Sequence, residues 1–128
     1  MSWKSLTVAA LAVLGYASMA SAADGEHYLC RQVKDLKVPA KFVALAGITV
    51  VDQTAADTFE AKKPFLLCDP VDKNGGGIIN GAAHLCCYKL KCTAKPAVAY
   101  DVTDQFWNGR ITTKKPKFLC NPCQKAPA

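Results

Sequence analysis

Seven cysteines and two histidines carry most of the chemistry that this 128-residue sequence offers. The cysteines stand at 30, 68, 86, 87, 92, 120 and 123, the histidines at 27 and 84. A thiol serves as a disulfide partner, a metal ligand or a nucleophile, and spacing separates these roles. Cys120-Asn121-Pro122-Cys123 has the C-x-x-C spacing of a redox pair. Such a pair works where a strand runs into a helix whose N-terminus lowers the first thiol's pKa. Five residues follow Cys123, Pro127 among them, and no such helix fits there. A metal site drawn from Cys86, Cys92, Cys123 and His84 fares no better. Zinc sites show two tight ligand pairs, and on a strand Cys86 and Cys92 are separated by roughly 20 Å at about 3.3 Å per residue. Disulfides are therefore expected ahead of a metal, and no cofactor is expected. His27 and His84 read as strand-start or packing residues, and no Ser/His/Asp constellation points to an enzyme.

The start of the chain bears on where those thiols are kept. Lys4 precedes an uncharged apolar run from Leu6 to Ala17, followed by Ala20-Ser21-Ala22. That is the order of a signal peptide over residues 1–22, with an A-x-A cleavage site. No later segment is long and apolar enough to span a bilayer. The expectation is a secreted or periplasmic protein, or one held at the extracellular surface, in which most thiols are oxidised.

The cysteines are positioned by an internal repeat. Residues 50–73 align without gaps on 102–125, a constant offset of 52, with ten of 24 positions identical. The shared core is Lys62-Lys63-Pro64-x-x-Leu67-Cys68-x-Pro70-x-x-Lys73 against Lys114-Lys115-Pro116-x-x-Leu119-Cys120-x-Pro122-x-x-Lys125. His27-x-x-Cys30 and His84-x-x-Cys87 match at offset 57. The sequence thus reads as two tandem copies of one unit, residues 23–73 and 84–128, separated by a flexible Gly-rich joint over 74–83. The economical pairing is Cys30–Cys68 and Cys87–Cys120, the same bridge made twice, each worth roughly 2–5 kcal/mol in a unit this small. Cys86, Cys92 and Cys123 are additions to the second copy. Cys86 and Cys92 lie too far apart to pair, so a third bridge must use Cys123. Cys86–Cys123 is expected, with the chain crossing the sheet edge after Pro122. Cys92 is left as the free or intermolecular thiol, the link for a disulfide-bonded dimer.

The local pattern is strand-like throughout. In Cys86-Cys87-Tyr88-Lys89-Leu90-Lys91, Tyr88 and Leu90 face one way and the lysines the other. Residues 42–51 and 98–106 are rich in Val, Ile, Phe and Tyr. Trp107-Asn108-Gly109-Arg110 carries the Asn-Gly signal of a hairpin turn. Asp52-Gln53 and Asp104-Gln105 read as residues capping backbone at turns. The Lys-Lys-Pro steps point to strand edges or entries, since Pro donates nothing to a ladder. The expected fold is all-β, a small disulfide-stapled sandwich or barrel-like domain.

The blocks Leu67-Cys68-Asp69-Pro70-Val71-Asp72-Lys73-Asn74-Gly75, His84-Leu85-x-Cys87-Tyr88-Lys89, Asp104-Gln105-Phe106 and Leu119-Cys120-x-Pro122 together resemble a family of uncharacterised secreted bacterial β-rich modules. The resemblance implies an exported domain and supplies no catalytic residues. Cys123 departs from the family pattern, where Ser is usual, and Cys86 and Cys92 are further departures.

Charge points toward a partner. Residues 27–73 hold seven basic and six acidic side chains, whereas residues 84–125 hold eight and two. The excess lies in Lys89, Lys91, Lys95, Arg110, Lys114, Lys115 and Lys117, with Trp107 beside Arg110. A basic surface with an aromatic ring suits an anionic envelope polymer, a glycan or a co-secreted protein. Nucleic acid is not expected for an exported chain. The leading expectation is a non-enzymatic binding or structural module. The alternative is a thiol-disulfide or metal-handling protein using Cys86, Cys92, Cys120 and Cys123.

Overall fold

A computed structural model describes residues 25–53, 56–92 and 95–128; the leader expected over 1–22 lies outside the described residues. The chain is all-β. Its strands are β1 (His27–Gln32), β2 (Leu45–Val51), β3 (Ala56–Val71), β4 (His84–Lys91), β5 (Ala99–Thr103), β6 (Asn108–Thr112) and β7 (Phe118–Cys123). An open antiparallel sheet runs in the order β1-β3-β4-β7, with β2 also on β3, and β5 and β6 form a two-stranded ribbon. Asp101–Ile111 belongs to one compact unit; Glu26–Tyr100 with Thr112–Ala128 forms another, which contains the whole five-stranded sheet. Among the described residues no helix is long and apolar enough to cross a membrane.

The register explains how so short a chain holds together. Cys30 is directly opposite Cys68 across β1–β3, and Cys87 directly opposite Cys120 across β4–β7. Directly opposed side chains share a face, and both pairs are joined as disulfides. The sulfurs of Cys68 and Cys87 touch at 3.8 Å. Two bridges therefore form a continuous sulfur row across four strands on one face, here termed the cysteine face. The third disulfide, Cys86–Cys123, lies on the opposite face. It needs no crossing of the sheet edge. Cys120 and Cys123 are an odd number of residues apart, so strand alternation alone sends them to opposite faces, as it does Cys86 and Cys87.

Among the described residues the buried hydrophobic ones are Phe59, Ala61, Cys68 and Cys87, at 8, 4, 3 and 1% exposure. Pro70 is buried beside them, and two of these five described residues are disulfide cysteines, which helps a chain with little apolar interior to retain a fixed fold.

Two local expectations are revised. Lys62-Lys63-Pro64 lies inside the central strand β3, not at an edge or entry. Register shifts between Ala61 and Lys63 and between Pro64 and Leu66 interrupt the ladder, so the donor that Pro64 lacks is not missed. The hairpin turn expected at Asn108-Gly109 lies earlier. Asp104 accepts hydrogen bonds from the Phe106 and Trp107 amides at 2.8 and 3.1 Å and donates its own amide to the Trp107 carbonyl. Asn108 and Gly109 open β6 instead, and the Trp107 ring lies where any Cβ on residue 109 would stand.

The Gly-rich segment after β3 makes turns and is hydrogen-bonded to the start of the sheet. Asn74, Gly75 and Gly77 adopt positive φ, a conformation glycine reaches at no steric cost. Beyond them the Glu26 carboxylate accepts the Ile79 and Asn80 amides, each at 2.7 Å.

Candidate functional site

The face opposite the sulfur row carries a charged cluster centred on Asp69. On β3 Asp69 is paired with Leu29, and the His84 end of β4 lies on its other side. Oδ1 of Asp69 contacts His84 Nδ1 and accepts from Lys125 Nζ, both at 3.0 Å, while Oδ2 accepts from Arg31 at 3.3 Å. Asp69 and His84 each retain 14% side-chain exposure. An ionised carboxylate only accepts, so Nδ1 bears the proton and Nε2 is the available ring nitrogen. Across β4–β7, His84 is directly opposite Cys123, whose sulfur is bonded to Cys86. Asp69, His84 and Cys123 thus form one cross-strand row on three adjacent strands. Lys125, two residues beyond Cys123, closes the row on Asp69.

The hydrogen bond from Lys125, with a further one from His84, holds the Asp69 carboxyl below the usual carboxylate range despite its partial desolvation. A lowered folded-state pKa means that the stabilising interactions are complete above the unfolded value, about pH 4, and fade as pH falls through the folded one. Urea titrations of the wild type and Asp69→Asn should therefore differ most at neutral pH and converge in acid below about pH 4. A difference independent of pH contradicts this role.

The cysteine face continues into a cationic stripe. Lys63 and Lys89 are directly opposite each other across β3–β4, and Lys89 is opposite Phe118 across β4–β7. Phe65 stacks on Phe118 with ring centroids 5.2 Å apart, and Lys89 Nζ lies 5.9 Å from the Phe65 centroid. Lys91 shares this face and is opposite Glu60. Among the described residues no carboxylate lies within ion-pair distance of Lys63 or Lys89. Like charges directly opposed cost stability unless an anion lies between them.

The other expected site residues are dispersed. Lys117 immediately precedes β7, and its carbonyl accepts the Leu90 amide at 2.9 Å. Lys115 is exposed in the link between β6 and β7. Lys114 lines a cleft of about 440 Å³ with Val50, Asp57, Phe59, Lys95 and Tyr100. Lys95 pairs there with Asp57. Arg110 is engaged by Asp101 through two contacts, at 2.7 and 3.3 Å, which keep its guanidinium more firmly protonated. Trp107, 52% exposed, lies on the same hairpin tip. Cys92 is unpaired and half-buried, its thiol donating to the Pro116 carbonyl at 3.3 Å. Cys120 and Cys123 are bonded to two different partners, so they form no C-x-x-C pair. Among the described residues no group of three or more His, Cys, Asp or Glu side chains is placed to hold a metal ion.

Lys63, Phe65, Phe118, Asp69 and Lys125 were not singled out by sequence reasoning. The repeat already aligned Lys63 with Lys115 and Lys73 with Lys125. The sequence shows which copy carries the excess charge, but only the register shows which lysines share a face. Comparison of the chain with known protein families, with characterised proteins and with solved structures found no match.

Proposed function

We propose that this protein is an exported, non-enzymatic binding module of two tandem copies, and that its cationic stripe takes an anionic polymer of the cell envelope. The opposed pair Lys63 and Lys89 carries this reading. Two ammonium groups held side by side by a disulfide-stapled sheet are prepared for an anionic group between them. Phe65 and Phe118 add a flat apolar surface suited to the ring of an acidic sugar. The equivalent registers of β1–β3 and β4–β7, with a disulfide at the same point in each, support the two-copy reading. Three disulfides suit an oxidising compartment.

A polyuronate such as alginate, titrated into the protein at low ionic strength, tests the proposal, with uncharged dextran as the control. Binding to alginate should weaken as salt is added, because the contacts are exposed. Lys63→Glu with Lys89→Glu should weaken it by roughly tenfold or more, about 1 kcal/mol or more in total. Equal binding of dextran, or no effect of the double reversal, defeats the proposal.

A further inference from the structure

The stabilising role of Asp69 does not account for the sulfur that ends its row, Asp69, His84, Cys123, and the cationic stripe lies on the other face. It has the order of a thiol-activating device: a carboxylate fixing a histidine tautomer, and the histidine beside a sulfur. Here the sulfur is stored as a disulfide with Cys86. We propose that the Cys86–Cys123 bridge is a thiol-exchange site, that its substrate is an external thiol, and that His84 moves the proton.

The step balances without an added oxidant. The incoming thiol gives its proton to His84 Nε2, and its thiolate attacks Sγ of Cys86. The Cys86–Cys123 bond breaks as a bond forms between Cys86 and the incoming sulfur. The electron pair leaves on Sγ of Cys123, and the imidazolium returns the proton to it. The products are a mixed disulfide on Cys86 and a free thiol on Cys123. Asp69 acts through His84 as a positioning residue. Three donors, from Arg31, His84 and Lys125, prevent its carboxylate from turning away.

The same chemistry is disfavoured at the other two bridges. Their accessible sulfurs are Cys30 and Cys120, which lie on the edge strands. Attack there must expel Cys68 or Cys87, which are 3 and 1% exposed and pressed against each other. A thiolate buried in apolar surroundings is a poor leaving group, and no basic side chain lies on that row. Cys86 and Cys123 are both half-buried, so an external thiol has a path to the third bridge alone without expelling a core sulfur.

The oxidised full chain incubated with glutathione, quenched by alkylation and mapped by mass spectrometry, decides the matter. Glutathione should appear on Cys86 and the alkyl label on Cys123 before either other bridge opens. His84→Gln should slow this opening about tenfold or more while leaving the slow opening of the other two unchanged, and added imidazole should restore part of the rate. If His84→Gln fails to fold, as near-UV circular dichroism will show, Asp69→Asn provides the test. It should slow the same bridge selectively, and its effect should vanish when combined with His84→Gln wherever the double variant folds. Opening of all three bridges at comparable rates, glutathione on Cys123, or an unaltered rate in both variants overturns the proposal.

Discussion

Replacing Cys30 and Cys68 together with Ala should cost about 4 kcal/mol, whereas replacing Cys87 and Cys120 should cost much less. The two bridges look equivalent, because each joins directly opposed residues and each includes one buried sulfur. The difference lies in the unfolded chain. Cys30–Cys68 is the only covalent closure of its 38-residue span, and that span's freedom returns in full when the bridge is removed. Cys87–Cys120 is nested inside Cys86–Cys123, with separations of 33 and 37 residues. With the outer bridge intact, removing the inner one frees only the few residues between them. The loss is then mainly the small void left by buried sulfur, about 1–2 kcal/mol. Removing both nested bridges should restore the full entropic penalty. Urea unfolding of the three double variants and the quadruple variant measures this non-additivity directly. Equal costs for the first two variants would show that the bridges act through native packing alone. The sequence supported only a common figure for either bridge, because nesting depends on where the third bridge closes.

The class of fold was legible because its signals are local. The alternation of Tyr88 and Leu90 against Lys89 and Lys91 in β4 survives intact, and the β-branched run Ile48-Thr49-Val50-Val51 lies in β2. Faces and registers were harder, because they are set by several strands together. Pro64 argued for an edge, but two bulges let the chain continue as one strand from Ala56 to Val71. Asn108-Gly109 is a strong turn signal, yet the Asp104 carboxylate, with two backbone amides to satisfy, fixes the turn a few residues earlier. The sheet crossing expected after Pro122 is not needed, because Cys120 and Cys123 are three residues apart and alternation alone sends them to opposite faces. The Asp69 cluster was hidden for a related reason. Its members come from β1, β3, β4 and the tail after β7, and each is unremarkable in its own stretch of sequence.

Phe59→Ala is expected to unfold most of the population at room temperature. Among the described residues Phe59 is the only large hydrophobic side chain that is buried. It lies on β3 opposite Ile48, and it also lines the cleft next to Val50, Val98 and Tyr100. Truncation removes its transfer free energy and leaves a void that two pinned strands cannot readily close, a combined cost of about 3–5 kcal/mol. For so small a chain that approaches the whole stability of the native state. The disulfides do not offset it, since they join β1 to β3 at Cys68 and β4 to β7, and leave the β2–β3 hairpin unbridged. Phe59→Leu, which keeps most of the volume, should cost under about 1.5 kcal/mol. Thermal or urea unfolding of the two variants under oxidising conditions distinguishes them. If Phe59→Ala remains folded with only a slight loss, the sulfur row rather than the Phe59 cluster is the core on which the fold depends.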